Sequence, residues 1–157
     1  MIFMLFHLDD PPTALRNVRR VLRPGGTLGT VTWAEDPDVA ASQLWEAELD
    51  ALGARDPDPI PRKHELMNTT EKMTALLSSA GLTPQRLWLE RLEHTWSVEG
   101  LFALHTGFGR PKRKLDSLDA ETRVAFLERI RGRLARLGPD AFLYRATVVC
   151  SLACRPA

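Results

Sequence analysis

The 157-residue sequence has few of the residues that mark a metal site, a disulfide scaffold or a membrane protein. Its two cysteines, Cys150 and Cys154, fall on a predicted strand about 13 Å apart, which is too far for a disulfide. None of the four histidines has a cysteine or carboxylate at ligand spacing, so no metal is expected. No apolar run is long enough for a membrane span, and the N-terminus lacks the basic leader and cleavage site of a signal peptide. We therefore expect a cytoplasmic protein with reduced thiols and no membrane partner.

The chain also lacks an excess of charge of either sign. Its 21 basic and 20 acidic residues leave a net charge of +1, which gives no general attraction to nucleic acid. The basic run Arg110–Lys114 holds no aromatic residue, and acidic residues follow it closely. A solvated helix face with local ion pairs explains this pattern better, so no nucleic-acid partner is expected. Length and composition together indicate one domain over residues 1–157.

The first 33 residues predict a strand, a helix and a second strand. The apolar run Ile2–Leu8 has strand length and is stopped by Asp9-Asp10-Pro11-Pro12. Asp10 is a good helix N-cap, and the helix that follows has apolar residues on one face and arginines on the other. Pro24-Gly25-Gly26 ends this helix, and Thr27–Trp33 is rich in strand formers. Two strands joined by a helix are expected to be parallel neighbours.

Apolar spacing and capping signals predict the rest of the chain. We expect helices over residues 39–52, 69–80 and 97–106, and a last helix from Ser117 or Asp119 to Leu137. Loops are expected over residues 35–38, 54–68 and 107–115. Leu87–Leu92 is predicted as a strand. Phe142–Cys154 is predicted as a long strand with its even-numbered residues on one buried face and the polar residues Arg145, Thr147 and Ser151 on the other.

The segment FHLDDPPTALRNVRRVLRPGGTLGTVTW resembles the second half of a class I S-adenosylmethionine-dependent methyltransferase of the small-molecule kind. Its most specific part is Arg20-Val21-Leu22-Arg23-Pro24-Gly25-Gly26, which in that family leads from a helix into the fifth strand. The resemblance implies an α/β fold: a partial Rossmann-like sheet of strands 4, 5, 6 and 7 of seven, with flanking helices. The last two strands would be an antiparallel pair, with the seventh inserted between the fifth and the sixth.

The glycine-rich loop that holds the cofactor in this family is missing from these residues. The nearest pattern, Gly107-Phe108-Gly109, follows no predicted strand and opens no predicted helix. We therefore expect residues 1–157 to be the C-terminal portion of a methyltransferase fold, either a truncated reading frame or a split protein.

The resemblance implies methyl transfer from S-adenosylmethionine to a small-molecule acceptor. In such a reaction the cofactor supplies the leaving group, and the protein aligns the reactants in a dry pocket. We expect cofactor binding only in the intact fold, and an inactive isolated chain. The alternative is a non-catalytic interaction subunit whose apolar first strand recruits a second copy or a complementing N-terminal half.

The same resemblance places the candidate site residues near the ends of the first two predicted strands. Met4, Leu5 and Phe6 would border the cofactor, and His7 would act as general base. Aromatic walls suit planar or cationic acceptors, so Trp33 and Trp45 are predicted to line the acceptor pocket. Arg110 is predicted to meet an acidic acceptor. The residues alone leave other roles open: a hydrogen-bonded imidazole at a strand end for His7, core packing for Trp45 and a solvated helix face for Arg110.

Overall fold

Helices alternate with three strands in the computed structural model, which describes residues 1–34, 39–57 and 63–157. The helices are α1 (Pro11–Val21), α2 (Ala40–Ala51), α3 (Thr70–Ser79), α4 (Val98–Gly107), α5 (Gly109–Asp116) and α6 (Ala120–Leu134). The strands are β1 (Thr27–Trp33), β2 (Thr83–Thr95) and β3 (Leu143–Cys154), and single 3-10 turns occur at Leu5–His7, Lys63–Leu66 and Pro139–Phe142. The predicted loop over residues 35–38 lies outside the described residues, as do residues 58–62 of the second loop.

The chain forms two compact units. Unit 1 comprises Met1–Pro37, Pro61–Leu92 and Ala146–Ala157, and unit 2 comprises Asp38–Ile60 and Glu93–Arg145. The single domain expected from chain length stays a prediction. No helix in the described ranges has the length and apolar character needed to cross a bilayer.

The sheet has the strand order β1-β3-β2. β3 runs antiparallel to β1, in a register from Thr27 opposite Cys154 to Trp33 opposite Val148. β3 also runs antiparallel to β2, since the Gln85 amide contacts the Cys154 sulfur at one end and Arg145 pairs with Glu93 towards the other. The prediction of a last strand that is antiparallel and inserted between its two neighbours is confirmed.

The core of unit 1 fills one face of this sheet. α1 and α3 contribute Leu15, Met73 and Leu77, all fully buried, and β1 and β3 contribute Leu28 and Val149. Each helix side chain of this size stabilises the fold by about 1.5–3 kcal/mol through burial.

The predicted polar face of β3 is wrong in the middle of the strand. Val149, Ser151 and Ala153 are buried there, while Leu152 on the opposite face is 37% exposed. Burial of Ser151 is possible because its hydroxyl lies 2.6 Å from the Thr30 hydroxyl in a hydrogen bond, which satisfies both groups. The strand is therefore buried on both faces over residues 148–151, and alternation between the faces does not describe it.

The predicted strand Ile2–Leu8 is wrong beyond Phe3. Ile2 makes a parallel bridge to Val31, and the Phe3 N–H donates to the Val31 carbonyl at 2.9 Å, so the parallel direction is confirmed. Phe3 then adopts a φ of 50°, which is rare for a bulky residue, and a 3-10 turn over Leu5–His7 follows. The turn places Leu5 in the core, where 1% of the residue is exposed. An apolar run predicts burial, and here the burial is achieved by a turn.

Both ends of α1 are held by charged side chains. The Asp10 carboxylate accepts a hydrogen bond from the Thr13 N–H at 2.9 Å, as the N-cap prediction requires. At the other end, the Arg155 guanidinium donates to three carbonyl oxygens, those of Arg19, Arg20 and Leu22. The Arg155 backbone also accepts from Gly25 and donates to Gly26, both at 2.9 Å. The last residues of the chain thus fix the C-terminal end of the first helix.

Unit 2 is built of helices around Trp45. The Trp45 ring has no exposed surface and meets the rings of Phe102 and Phe126 edge-on, at centroid distances of 5.4 and 5.2 Å. Ser97 and Asp119 cap α4 and α6 by accepting backbone hydrogen bonds, in agreement with the predicted helix starts. The predicted basic loop at residues 107–115 is wrong, because Gly109–Asp116 forms α5.

Candidate functional site

The candidate site lies at the edge of the sheet where residues 4–7 follow the short N-terminal segment that pairs with β1. Residues 1–3 run parallel to β1, so the residues that follow lie beyond its C-terminal end. Open α/β sheets bind ligands at this edge of their strands. Met4, Leu5, Phe6 and His7 therefore occupy the position in unit 1 at which a ligand of such a sheet is bound.

The side chains of the four residues in this turn differ in how exposed they are. Met4 is 53% exposed, His7 is exposed and Phe6 is half-buried, whereas Leu5 points into the core. The rings of Phe6 and His7 contact each other at a centroid distance of 4.4 Å. The His7 N–H donates to the Met4 carbonyl at 3.0 Å, which closes the turn. Three side chains of this turn are thus available to a ligand, and the side chain of Leu5 is not.

Trp33 lies beside this turn, at the last position of β1. Its ring stacks on the ring of Phe3 with centroids 4.1 Å apart and an angle of 21° between the planes. Phe3 could not be selected from the sequence, because no sequence pattern signals a φ of 50° at a phenylalanine. The stack provides a flat aromatic surface in the same unit as Met4 and His7.

Trp45 and Arg110 belong to unit 2. Trp45 is fully enclosed there, which is the core role that its position on a helical stripe left open. The Arg110 side chain is 60% exposed, and one guanidinium nitrogen lies 3.9 Å from the Glu46 carboxylate. Contact of either residue with a substrate stays a prediction.

A polar seam that the sequence analysis missed runs along α2. Ser42, Glu46 and Asp50 are spaced four residues apart, so they lie on one side of the helix. The Glu46 carboxylate lies 2.8 Å from the Lys114 ammonium, and Asp50 bonds the same ammonium. The Lys114 side chain is only 2% exposed. Burial lowers the pKa of Lys114, but the hydrogen bonds that its ammonium donates to Asp50 and Glu46 outweigh this effect and raise the pKa above its ordinary value. The four-residue spacing of Ser42, Glu46 and Asp50 is a signal from which this seam could have been predicted.

His105 lies at the Ser42 end of the seam. Its Nε2 is 3.3 Å from the Ser42 hydroxyl, and its ring meets Trp45 edge-on with centroids 5.0 Å apart. Burial lowers the pKa of His105 to about 4, although the negative charge of Glu46 opposes this change. The imidazole is therefore neutral at physiological pH, and within the described parts of the chain its Nδ1 has no hydrogen-bond partner.

Comparison with known proteins relates the first part of the chain to one family. A family model described as a methyltransferase domain matches residues 1–30. Uncharacterised methyltransferases of Mycobacterium bovis and Mycobacterium tuberculosis are each 35% identical to the chain over 89 residues. The match covers 55% of this chain and 35% of each relative, so the aligned part spans about a third of the relatives' length.

Solved structures extend the comparison to the fold. The crystal structure of the YcgJ protein from Bacillus subtilis is similar with a TM-score of 0.51 at 17% sequence identity. The similarity covers 99% of this chain and 62% of that protein. It shows the mixed α/β, Rossmann-like architecture that the resemblance implied. The chain is therefore similar to methyltransferases in sequence over part of its length, and to a Rossmann-like α/β protein in fold.

Proposed function

We propose that this chain forms the acceptor-side part of an enzyme that transfers a methyl group from S-adenosylmethionine to a small molecule. The observation that carries the proposal is the turn Met4–His7, which lies beyond the C-terminal end of β1 inside the segment matched by the family model. The match of residues 1–30 to a methyltransferase-domain model and the 35% identity to uncharacterised methyltransferases support the reaction class. The exposed side chains of this turn support contact with reactants.

The residues of the turn suit one side of the cofactor. Met4 and Phe6 offer apolar and aromatic surface, which fits the methionine part of S-adenosylmethionine. The 157 residues contain no glycine-rich loop of the G-x-G-x-x-G kind. They therefore lack the loop that holds the rest of S-adenosylmethionine in the methyltransferase family. When bound, the cofactor supplies an electrophilic methyl group and a neutral thioether leaving group.

His7 is the proposed general base. Its imidazole is exposed, so it is accessible to a proton on an acceptor hydroxyl or amine. In this role it accepts the proton that the acceptor atom loses as that atom takes the methyl group. The Phe3–Trp33 stack is the proposed wall for the acceptor, because a flat aromatic surface suits a planar or cationic group. The free thiols Cys150 and Cys154 support a cytoplasmic location.

A graft tests the proposal. Residues 1–30, the part matched by the methyltransferase-domain model, replace the equivalent segment of the Mycobacterium tuberculosis relative, and calorimetry then measures binding of S-adenosylhomocysteine. We expect the graft to bind as tightly as the parent relative, whereas the 157-residue chain alone binds negligibly. A grafted protein that is folded by circular dichroism but no longer binds would contradict the proposed role of these residues. The His7→Ala change in the graft should leave binding unchanged and lower the rate of methyl transfer about 100-fold or more, as the loss of a general base does.

A second function is favoured by the exposed apolar residues at the same edge. The Ile2 side chain is 71% exposed, although the backbone of residues 1–3 is paired with β1. An apolar edge of this kind supports a role as an interaction subunit that pairs with a second copy or with a complementing N-terminal half. Sedimentation equilibrium of the chain and of an Ile2→Lys variant separates the cases. A dimer that the substitution disrupts supports self-pairing, and a monomer in both samples contradicts it.

A further inference from the structure

A cavity of about 460 Å³ lies within unit 2, whereas the turn Met4–His7 belongs to unit 1. Its lining residues are Ala40 and Gln43 of α2, Asp140 of the last 3-10 turn, and Leu143 and Arg145 of β3. The volume is within the range of small-molecule sites, about 300–1,000 Å³. Leu143 and Arg145 are two residues apart on one strand, so both side chains project from the same face of β3.

The cavity wall carries two opposite charges that do not neutralise each other. Asp140 is exposed, and its carboxylate has no hydrogen-bond or ion-pair partner among the described residues. Arg145 pairs through Nε with Glu93 at 3.3 Å, and its side chain is 64% exposed. This contact uses one donor of the guanidinium and leaves the terminal nitrogens without a partner in the described part of the chain.

A ligand that matches this wall carries both an ammonium and a carboxylate group. The ammonium would pair with Asp140, and the carboxylate would accept from the terminal nitrogens of Arg145. The Leu143 side chain lies between these two residues in the sequence and offers apolar surface to the carbon chain that joins the two groups. A simple amine would leave the terminal nitrogens of Arg145 without a partner, and a simple acid would leave the Asp140 carboxylate without one.

We propose that this cavity binds a small zwitterion, a molecule of the amino-acid class. The proposal does not depend on methyl transfer, because every contact it invokes is made by residues of unit 2 and none involves the cofactor. Both charged side chains are exposed, so each pair adds little and the affinity is expected in the millimolar range.

Nuclear magnetic resonance titration of the full chain tests the proposal without cofactor. The reporters are the side-chain amide of Gln43 and the methyl groups of Leu143. The probes are γ-aminobutyrate, with glycine and ε-aminocaproate to vary the length, and butylamine and butyrate as analogues that carry one charge. We expect one of the three zwitterions to shift both reporters and to bind more tightly than butylamine and butyrate.

Three variants test which charged side chain of the cavity pairs with each charged group of the ligand. Asp140→Asn should weaken binding of the zwitterion and of butylamine about two- to fivefold and leave butyrate unchanged. Arg145→Gln should weaken the zwitterion and butyrate and leave butylamine unchanged. Glu93→Gln removes the competing carboxylate, so the zwitterion and butyrate should bind more tightly. Arg136→Gln, at an exposed arginine outside the cavity, is the matched control and should change nothing.

Three results would overturn the proposal. The first is that none of the zwitterions shifts the reporters, and the second is that butylamine or butyrate binds as well as the best zwitterion. The third is that Asp140→Asn and Arg136→Gln have equal effects, which would indicate a general response to charge. Loss of methyl transfer in the graft experiment has no bearing on these outcomes, so the two proposals fail separately.

Discussion

The buried imidazole of His105 makes the stability of the protein depend on pH. Burial lowers its pKa from 6.5 to about 4 in the folded state. As the pH falls below 6.5, the unfolded chain takes up a proton that the folded chain still excludes. The stability contributed by the neutral imidazole is therefore complete above pH 6.5 and is lost as the pH falls towards 4.

The size of this loss follows from the two pKa values. Between about pH 7.5 and about pH 4.5 the free energy of unfolding should decrease by about 2–3 kcal/mol through His105 alone. The residue is only 5% exposed, so solvent screens little of this effect. Carboxylates also lose their charge in this range, and the comparison must therefore be made against a variant rather than against a single curve.

Urea unfolding at the two pH values, for the natural chain and for His105→Gln, measures the difference. Glutamine does not titrate, so the variant should lose about 2–3 kcal/mol less on acidification than the natural chain. His94→Gln is the matched control, because it makes the same replacement at an exposed histidine. Parallel pH curves for the natural chain and His105→Gln would refute the reasoning, as would an imidazole that titrates near 6.5 by nuclear magnetic resonance.

Three substitutions test other contacts by urea unfolding. Lys114→Met should lower the free energy of unfolding by about 2 kcal/mol, because Glu46 and Asp50 lose their buried partner. Arg155→Ala should lower it by about 1–2 kcal/mol, because three carbonyl oxygens at the end of α1 lose a charged donor. Thr69→Ala should lower it by about 1 kcal/mol, because the hydroxyl no longer accepts from the Lys72 N–H at the start of α3.

Each of these substitutions has a control on the same chain. Lys112→Met removes an exposed pair with Asp116 and should have almost no effect, so an effect equal to that of Lys114→Met would contradict the role of burial. Thr69→Ser keeps the capping hydroxyl and should retain most of the stability. Arg155→Lys keeps the charge but not the fork of donors, and it should lie between the natural chain and Arg155→Ala.

Sequence patterns predicted those elements whose signals are local. Asp10, Ser97 and Asp119 were expected to cap helices, and each does so by accepting a backbone hydrogen bond. The helix predicted over residues 39–52 ends where expected, and Gly53 lies just past it with a φ of 73°. These signals are readable because a cap or a left-handed glycine requires only its immediate neighbours.

Sequence patterns did not predict the elements that depend on contacts between residues far apart in the chain. α5 contains a buried lysine in a basic run, and the run becomes helical where Glu46 and Asp50 of α2 neutralise that lysine. The turn at Leu5–His7 depends on an unusual backbone angle at Phe3, which no pattern in the run predicts. For the candidate site, the sequence placed Met4, His7 and Trp33 at a strand end, but it did not indicate Phe3 or the cavity at Arg145.

The position of β3 has a consequence for the order in which unit 1 can be completed. β3 is the middle strand of the described sheet, yet it is synthesised after both of its neighbours. Until residues 146–157 leave the ribosome, β1 and β2 have no strand between them and α1 lacks its contact with Arg155. While residues 34–145 are synthesised, the apolar surfaces of α1 and β1 therefore lack their final partner and are exposed to aggregation and to chaperones.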